Sequence, residues 1–286
     1  MKAEPDMRPL WDAVLNVYDE FAKVCDANGL RYYVGEGNAI GALRHGGFIP
    51  WDDDMDVMMP RPDYEKFKKL AVDILPPHLK LLDWRNVPEH QYMFGKLQDC
   101  RENVVREVER KIGRIIADGI YIDILVIDGM PNGGVAQSIY KIRRYFATCM
   151  RRCFTSKLGD WHWRGKIVWL VGRFAATMWG VKDRDDAFDF AERAMMSASF
   201  DCAAVTWREG ALARTTNMEI PARVWQGRAM ARFEGRDVPL PAGYDEYLRM
   251  QYGDYMTPPA KAERVSTHVR TKHSPWWLGP TRPKAT

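Results

Sequence analysis

Cysteine is scarce and unpatterned. Cys25, Cys100, Cys149, Cys153 and Cys202 are the whole set, an odd number with no C-x-x-C pair. That excludes zinc-ligand spacing and argues against a disulfide framework, and it points to a reduced, cytoplasmic setting. Long apolar runs are missing too. The longest, IVWLVGRFAATMWGV at 167–181, holds Arg173 and falls short of the roughly 20 residues of a membrane span. The opening stretch, MKAEPDMRPLWDAV, has no secretory apolar core. Neither internal repeats nor low-complexity tracts occur. The formal net charge is only +4, too small for a protein that coats nucleic acid, so no nucleic-acid partner is expected.

What charge there is lies unevenly. Residues 138–173 carry Lys141, Arg143, Arg144, Arg151, Arg152, Lys157, Arg164, Lys166 and Arg173 against Asp160 alone, a net of +8 that leaves −4 for the rest of the 286 residues. A local anionic partner is the expectation. Trp161 and Trp163 fall inside this block, and aromatic plus basic side chains suit a membrane–water interface or a docking surface for another protein. Along the chain, residues 8–28 have the helical spacing Trp11, Leu15, Tyr18, Phe21, Cys25. RYYVGEG reads as a strand entering a glycine turn, NAIGALRHGG as a brief helix, FIPWDDDMDVMMP as a strand and PDYEKFKKLAVDIL as a helix. LKLLDW, YMFGKLQD and GIYIDILVIDGM read as strands, and 135–215 reads as mostly helical. The fold class is α/β (α+β): a mixed-sheet core over 1–133, a basic helical insertion over 134–215, and a C-terminal return over 216–286 ending in the helix YDEYLRMQYGD and an irregular tail.

WDDDMDV, residues 51–57, puts four aspartates in five positions. Like charges repel at this spacing, and aspartate is a poor strand former. On a strand, Asp52, Asp54 and Asp56 share one face, with Asp54 and Asp56 about 6–7 Å apart. Two carboxylates so placed can grip one divalent cation or straddle a pair, and hard oxygen ligands favour Mg²⁺ or Mn²⁺ over zinc. An EF-hand is excluded, because Val57 stands where its glycine belongs; a solvated acidic loop is the plain alternative. Three features count against the loop: the apolar VMMP that follows, the upstream turn GEGNAIG with its backbone N–H groups and helix N-terminus, and Asp123 in YIDI. Together they have the grammar of a nucleotidyltransferase-type site. Asp128 falls on the other face of that strand and reads as structural.

The stretch GEGNAIGALRHGGFIPWDDDMDVMMPRPDYEKF resembles the signature of the LicD family. YIDILVIDGMP and FEGRDVPLPAGYDEYLRMQYGDYMTPP are similar to that family's later blocks, in family order. The resemblance implies a nucleotidyltransferase-like fold and transfer of a phosphate-linked group, phosphocholine or a polyol phosphate, from a CDP-activated donor to a glycan hydroxyl. It implies that Asp54, Asp56 and Asp123 bind the metal and carry catalysis. It also implies that Gly37 and Asn38 in the turn, Arg44, His45 and Lys96 contact the donor. Asn38 stands where the family usually has Thr or Ser, and Glu36 where the residue is often small or apolar.

The expectation is therefore an Mg²⁺- or Mn²⁺-dependent transferase of the cytoplasm, attached peripherally to the inner face of the membrane, acting on a glycan or lipid-linked glycan acceptor and releasing CMP. An NTP-using nucleotidyltransferase and a non-catalytic, membrane-associated accessory protein are the alternatives. Tyr244, Tyr247 and Tyr255 are expected along one face of the last helix, either packing it or caging a choline group.

Overall fold

The computed structural model describes residues 7–101, 119–160, 162–208, 218–260 and 264. Trp161 and most of the tail expected to be irregular lie outside these residues.

The chain forms two compact units, the first made of residues 1–83, 94–126 and 223–286. Its leading helix α1 (Arg8–Ala27) buries Leu15, Tyr18, Phe21 and Cys25 on one face and ends through Gly29 at φ +62°. Next come β1 (Tyr33–Val34), α2 (Glu36–His45), β2 (Asp56–Pro60) and α3 (Arg61–Ile74), then β3 (Leu79–Leu82), β4 (Gly95–Asp99) and β5 (Ile120–Gly129). The strands lie in the order β1-β2-β5-β4-β3. The β3–β4 and β4–β5 pairs are antiparallel, as is β1–β2, where Val34 faces Val57. Phe21 joins α1 to α3 and to the β1 approach, 5.1 Å from the Phe67 ring and 5.2 Å from Tyr32, both edge-on, an arrangement that adds to plain burial. The C-terminal part supplies the hairpin β8 (Arg228–Phe233)–β9 (Arg236–Pro241) and the helix α7 (Tyr244–Tyr252). Strands and helices segregate into an α+β core, as expected.

The second unit comprises residues 84–93 and 127–222. Its helices are α4 (Gly134–Thr155), α5 (Trp163–Trp179) and α6 (Arg184–Met195). They close over Trp84, Met150, Ala175, Ala176, Phe188 and Met195. Gly172 makes the tight α4–α5 crossing possible: a Cβ there would sit 2.2 Å from the Cys149 carbonyl oxygen. Arg184 holds the 84–93 segment by donating to the carbonyls of Trp84, Val87 and His90 at 2.8–3.2 Å.

One sequence expectation needs correction. The strand expected over 48–58 begins only at Asp56; Asp52–Met55 are irregular, and the alternation of faces assumed there does not hold. The region 135–215 is mostly helical, as expected, and it also holds β6 (Val205–Arg208), which pairs with the end of β5 and with β7 (Met218–Pro221).

Candidate active site

The aspartates are held from the turn that precedes them. Gly35 caps α2 with an extended backbone, and its N–H donates to the Asp56 carbonyl at 3.1 Å. Asn38, fully buried, uses both ends of its amide on the same segment. Its Nδ2 donates to the Asp54 carbonyl at 2.9 Å, and its Oδ1 accepts from the Asp56 N–H at 2.7 Å. Gly37 lies against Asp52, where a Cβ would stand 2.8 Å from a carboxylate oxygen. On the sheet side, the Asp123 N–H donates to the Met55 carbonyl at 2.9 Å. Trp11 anchors the start of the run through Nε1 to the Asp52 carbonyl, 2.9 Å.

The result is a crowd of carboxylates. Asp52, Asp53 and Asp54 each place an oxygen within 4.8 Å of the others', and Asp53 and Asp54 are buried. Burial, then Asp54, Asp123, Glu36 and Asp52, hold the Asp56 carboxyl well above the usual carboxylate range. Asp52 is raised likewise by burial and by Asp54 and Asp53. Oxygen-only donors gathered this closely fit a hard divalent cation such as Mg²⁺ or Mn²⁺. Asp52 and Asp53 are added here to the expected Asp54, Asp56 and Asp123. The D-D-D run was itself their signal, and the assumed strand alternation put Asp53 on the wrong side.

Asp123 has a cation beside it already. In the β4–β5 register Lys96 faces Asp123, and the buried Lys96 Nζ donates to its Oδ1 at 2.5 Å. The ammonium also lies 3.9 Å from the Tyr121 ring centroid, a favourable cation–π position.

Arg44 and His45 sit at the far end of α2, about 12 Å along the helix from Gly37. Arg44 donates to the Tyr255 carbonyl at 2.8 Å, and its pKa is lowered by burial and then by Arg264. His45 is exposed, its pKa lowered by partial burial and then by Arg44. The helix therefore separates this pair from the turn glycine.

Glu36 opens α2 at φ +49°, a left-handed backbone that costs a non-glycine residue about 1–2 kcal/mol. Its buried carboxylate accepts from the Tyr247 and Tyr252 hydroxyls at 2.6 Å each and from the Gln251 amide. Tyr247 is fully buried against Trp225, so it packs α7 as one of the two readings expected. Tyr255 lies beyond the end of α7 and donates to Asp245 at 2.8 Å, which corrects the single-face placement. Tyr247 was expected on the last helix; that Glu36 receives it together with Gln251 and Tyr252 was not legible.

Residues 29–105 match the family model described as LicD/FKTN/FKRP, nucleotidyltransferase domain. Over that stretch the chain is similar to the LicD family. It is 26% identical over 271 residues to the lipopolysaccharide cholinephosphotransferase LicD of Haemophilus influenzae, covering 90% of this chain and 93% of that protein. It also resembles two uncharacterized rickettsial proteins. The one from Rickettsia typhi is 34% identical over 20% of this chain and 17% of its own length; the one from Rickettsia prowazekii is 24% identical over 41% and 40%. The LicD-like match over residues 29–105 takes in the glycine turn, all four aspartates of the run and Lys96; Asp123 lies beyond it and joins through the sheet.

Proposed function

We propose that this LicD-like chain is a metal-dependent phosphotransferase. It moves a phosphate-linked small group, phosphocholine foremost, from a CDP-activated donor to a hydroxyl of a cell-surface glycan or its lipid-linked precursor. One observation carries the reading. The aspartate run is pinned by Asn38 to the glycine turn and by Met55 to the strand bearing Asp123, in a chain similar along 90% of its length to a cholinephosphotransferase.

Asp52, Asp53, Asp54 and Asp56 would hold the divalent cation, which when bound supplies charge neutralisation to the donor diphosphate and the departing CMP. The turn at Gly37 brings backbone N–H groups and a helix N-terminus to the same diphosphate. Lys96 orients the Asp123 carboxylate. Asp123 takes the proton of the acceptor hydroxyl as its oxygen bonds to phosphorus; the bond from phosphorus to the CMP oxygen breaks, and CMP leaves with that electron pair. Arg44 and His45, at the other end of α2, belong with the acceptor or the outer part of the donor.

The test is incubation with Mg²⁺ and a panel of CDP-choline, CDP-ethanolamine, CDP-ribitol and CDP-glycerol, followed by assay for CMP. CMP formation stimulated by a glycan acceptor is the expected result. The description of the matched domain as a nucleotidyltransferase favours one second reading, an enzyme that transfers the nucleotide itself. Pyrophosphate from an NTP, with no CMP from any CDP compound, would establish that reading instead.

A further inference from the structure

Helix α5 (Trp163–Trp179) is apolar on two opposite sides. Inward it buries Gly172, Ala175 and Ala176. Outward, Trp163, Ile167, Leu170, Phe174 and Met178 recur at three- and four-residue intervals, and each is between 53% and 69% exposed. At 100° per residue these five form one stripe, with Lys166 and Arg173 along one edge of it. The solvent side of a packed helix is ordinarily polar, and a contiguous apolar stripe marks an interaction surface. Arg164 lies over the Trp163 ring at 5.1 Å. Neither α5 nor its neighbour α4 contains an aspartate or glutamate, and α4 exposes Ile139 and Ile142 besides.

We propose that α5 is an in-plane anchor for an anionic lipid surface. Charge decides among the occupants. A second copy would bring the same helix, with three cations and no aspartate or glutamate of its own, and repel, whereas anionic headgroups complement Arg164, Lys166 and Arg173 while the stripe enters the acyl boundary. The helix lies on the membrane and does not cross it. Its 17 residues span only about 26 Å and carry three cations, and no helix among the described residues is long and apolar enough to cross a membrane. The inference stands apart from the phosphotransfer reading, since none of these residues belongs to the aspartate site.

The experiment is co-sedimentation of the full chain with vesicles of phosphatidylcholine alone or mixed with phosphatidylglycerol, at low and high salt. The chain should bind the mixed vesicles at least about tenfold better than the neutral ones, and salt should weaken that binding. The double variant Ile167→Ser, Phe174→Ser should lose about tenfold or more, as two large apolar groups no longer leave water. Lys166→Glu should lose binding to mixed vesicles only; it replaces an exposed side chain and serves if the double variant misfolds by circular dichroism. Absence of vesicle binding, equal binding to both vesicle types, or variants that bind like the parent chain would each overturn the proposal. A concentration-dependent dimer that Phe174→Ser dissolves, without vesicle binding, would assign the face to a second copy of the chain.

Discussion

At the scale of single residues, the site depends on where charge is left unbalanced. Asp54→Asn or Asp56→Asn removes a ligand charge and almost no volume. CMP release should fall by about a hundredfold or more, while the metal-free protein should melt at a higher temperature because repulsion falls. Near-parental turnover at saturating Mg²⁺ would remove the aspartates from the mechanism. Tyr247→Phe is a different case. It takes one donor from the buried Glu36 carboxylate, and hydrogen bonds to charged groups are worth about 1.5–3 kcal/mol. Urea denaturation should show a loss of that order. The aspartates could be read from sequence because four like charges beside an apolar strand demand an explanation. The Glu36 partnership could not, since Tyr247, Gln251 and Tyr252 lie more than 200 positions away and nothing local announces them.

At the scale of elements, what sequence reveals is periodicity, and what it hides is pairing. α1 and α3 were readable because their apolar residues recur at helical intervals over several turns. The Asp52–Met55 segment misled because strand geometry was extended backward from VMMP. Its backbone groups are engaged by Asn38 and by the neighbouring turn and strand rather than by a regular ladder. β6 and β7, four residues each, carry too short a pattern to stand out from a helical region, and their reason for existing is the distant end of β5. The α4–α5 crossing gives a sharp test. Gly172→Val would drive side-chain carbon into the Cys149 carbonyl, and overpacking of this kind costs about 1–3 kcal/mol. Thermal denaturation should show the loss, and Gly172→Ala should show a smaller one.

At the scale of the whole molecule, the acidic cluster sets how stability responds to pH and to cations. The raised Asp52 and Asp56 keep protons in the folded chain at pH values where the unfolded chain, near the ordinary 3.8, has lost them. The folded state therefore binds more protons across that window, and this contribution to stability is full below the ordinary value and lost as pH rises toward the folded one. In chelator, Asp56→Asn should be little different from the parent at about pH 4 and clearly more stable at about pH 7. A gap that shrinks with rising pH would contradict the assignment. Mg²⁺ should act in the opposite sense on the parent chain, adding about 2.7 kcal/mol at a hundred times its Kd, and should do far less for the variant.

The ion pair between Lys96 and Asp123 also bears on how the sheet assembles. Side chains on a strand alternate between faces, so a slip of β4 against β5 by one residue would turn Lys96 to the other side and leave both charges buried without each other. Separating a buried pair costs several kcal/mol, a large share of the 5–15 kcal/mol that holds a domain folded. The two residues thus act as a proofreading step on strand alignment. A chain that closes this sheet with the wrong offset is heavily penalised, so correct folding and the placement of Asp123 beside Lys96 are inherited together.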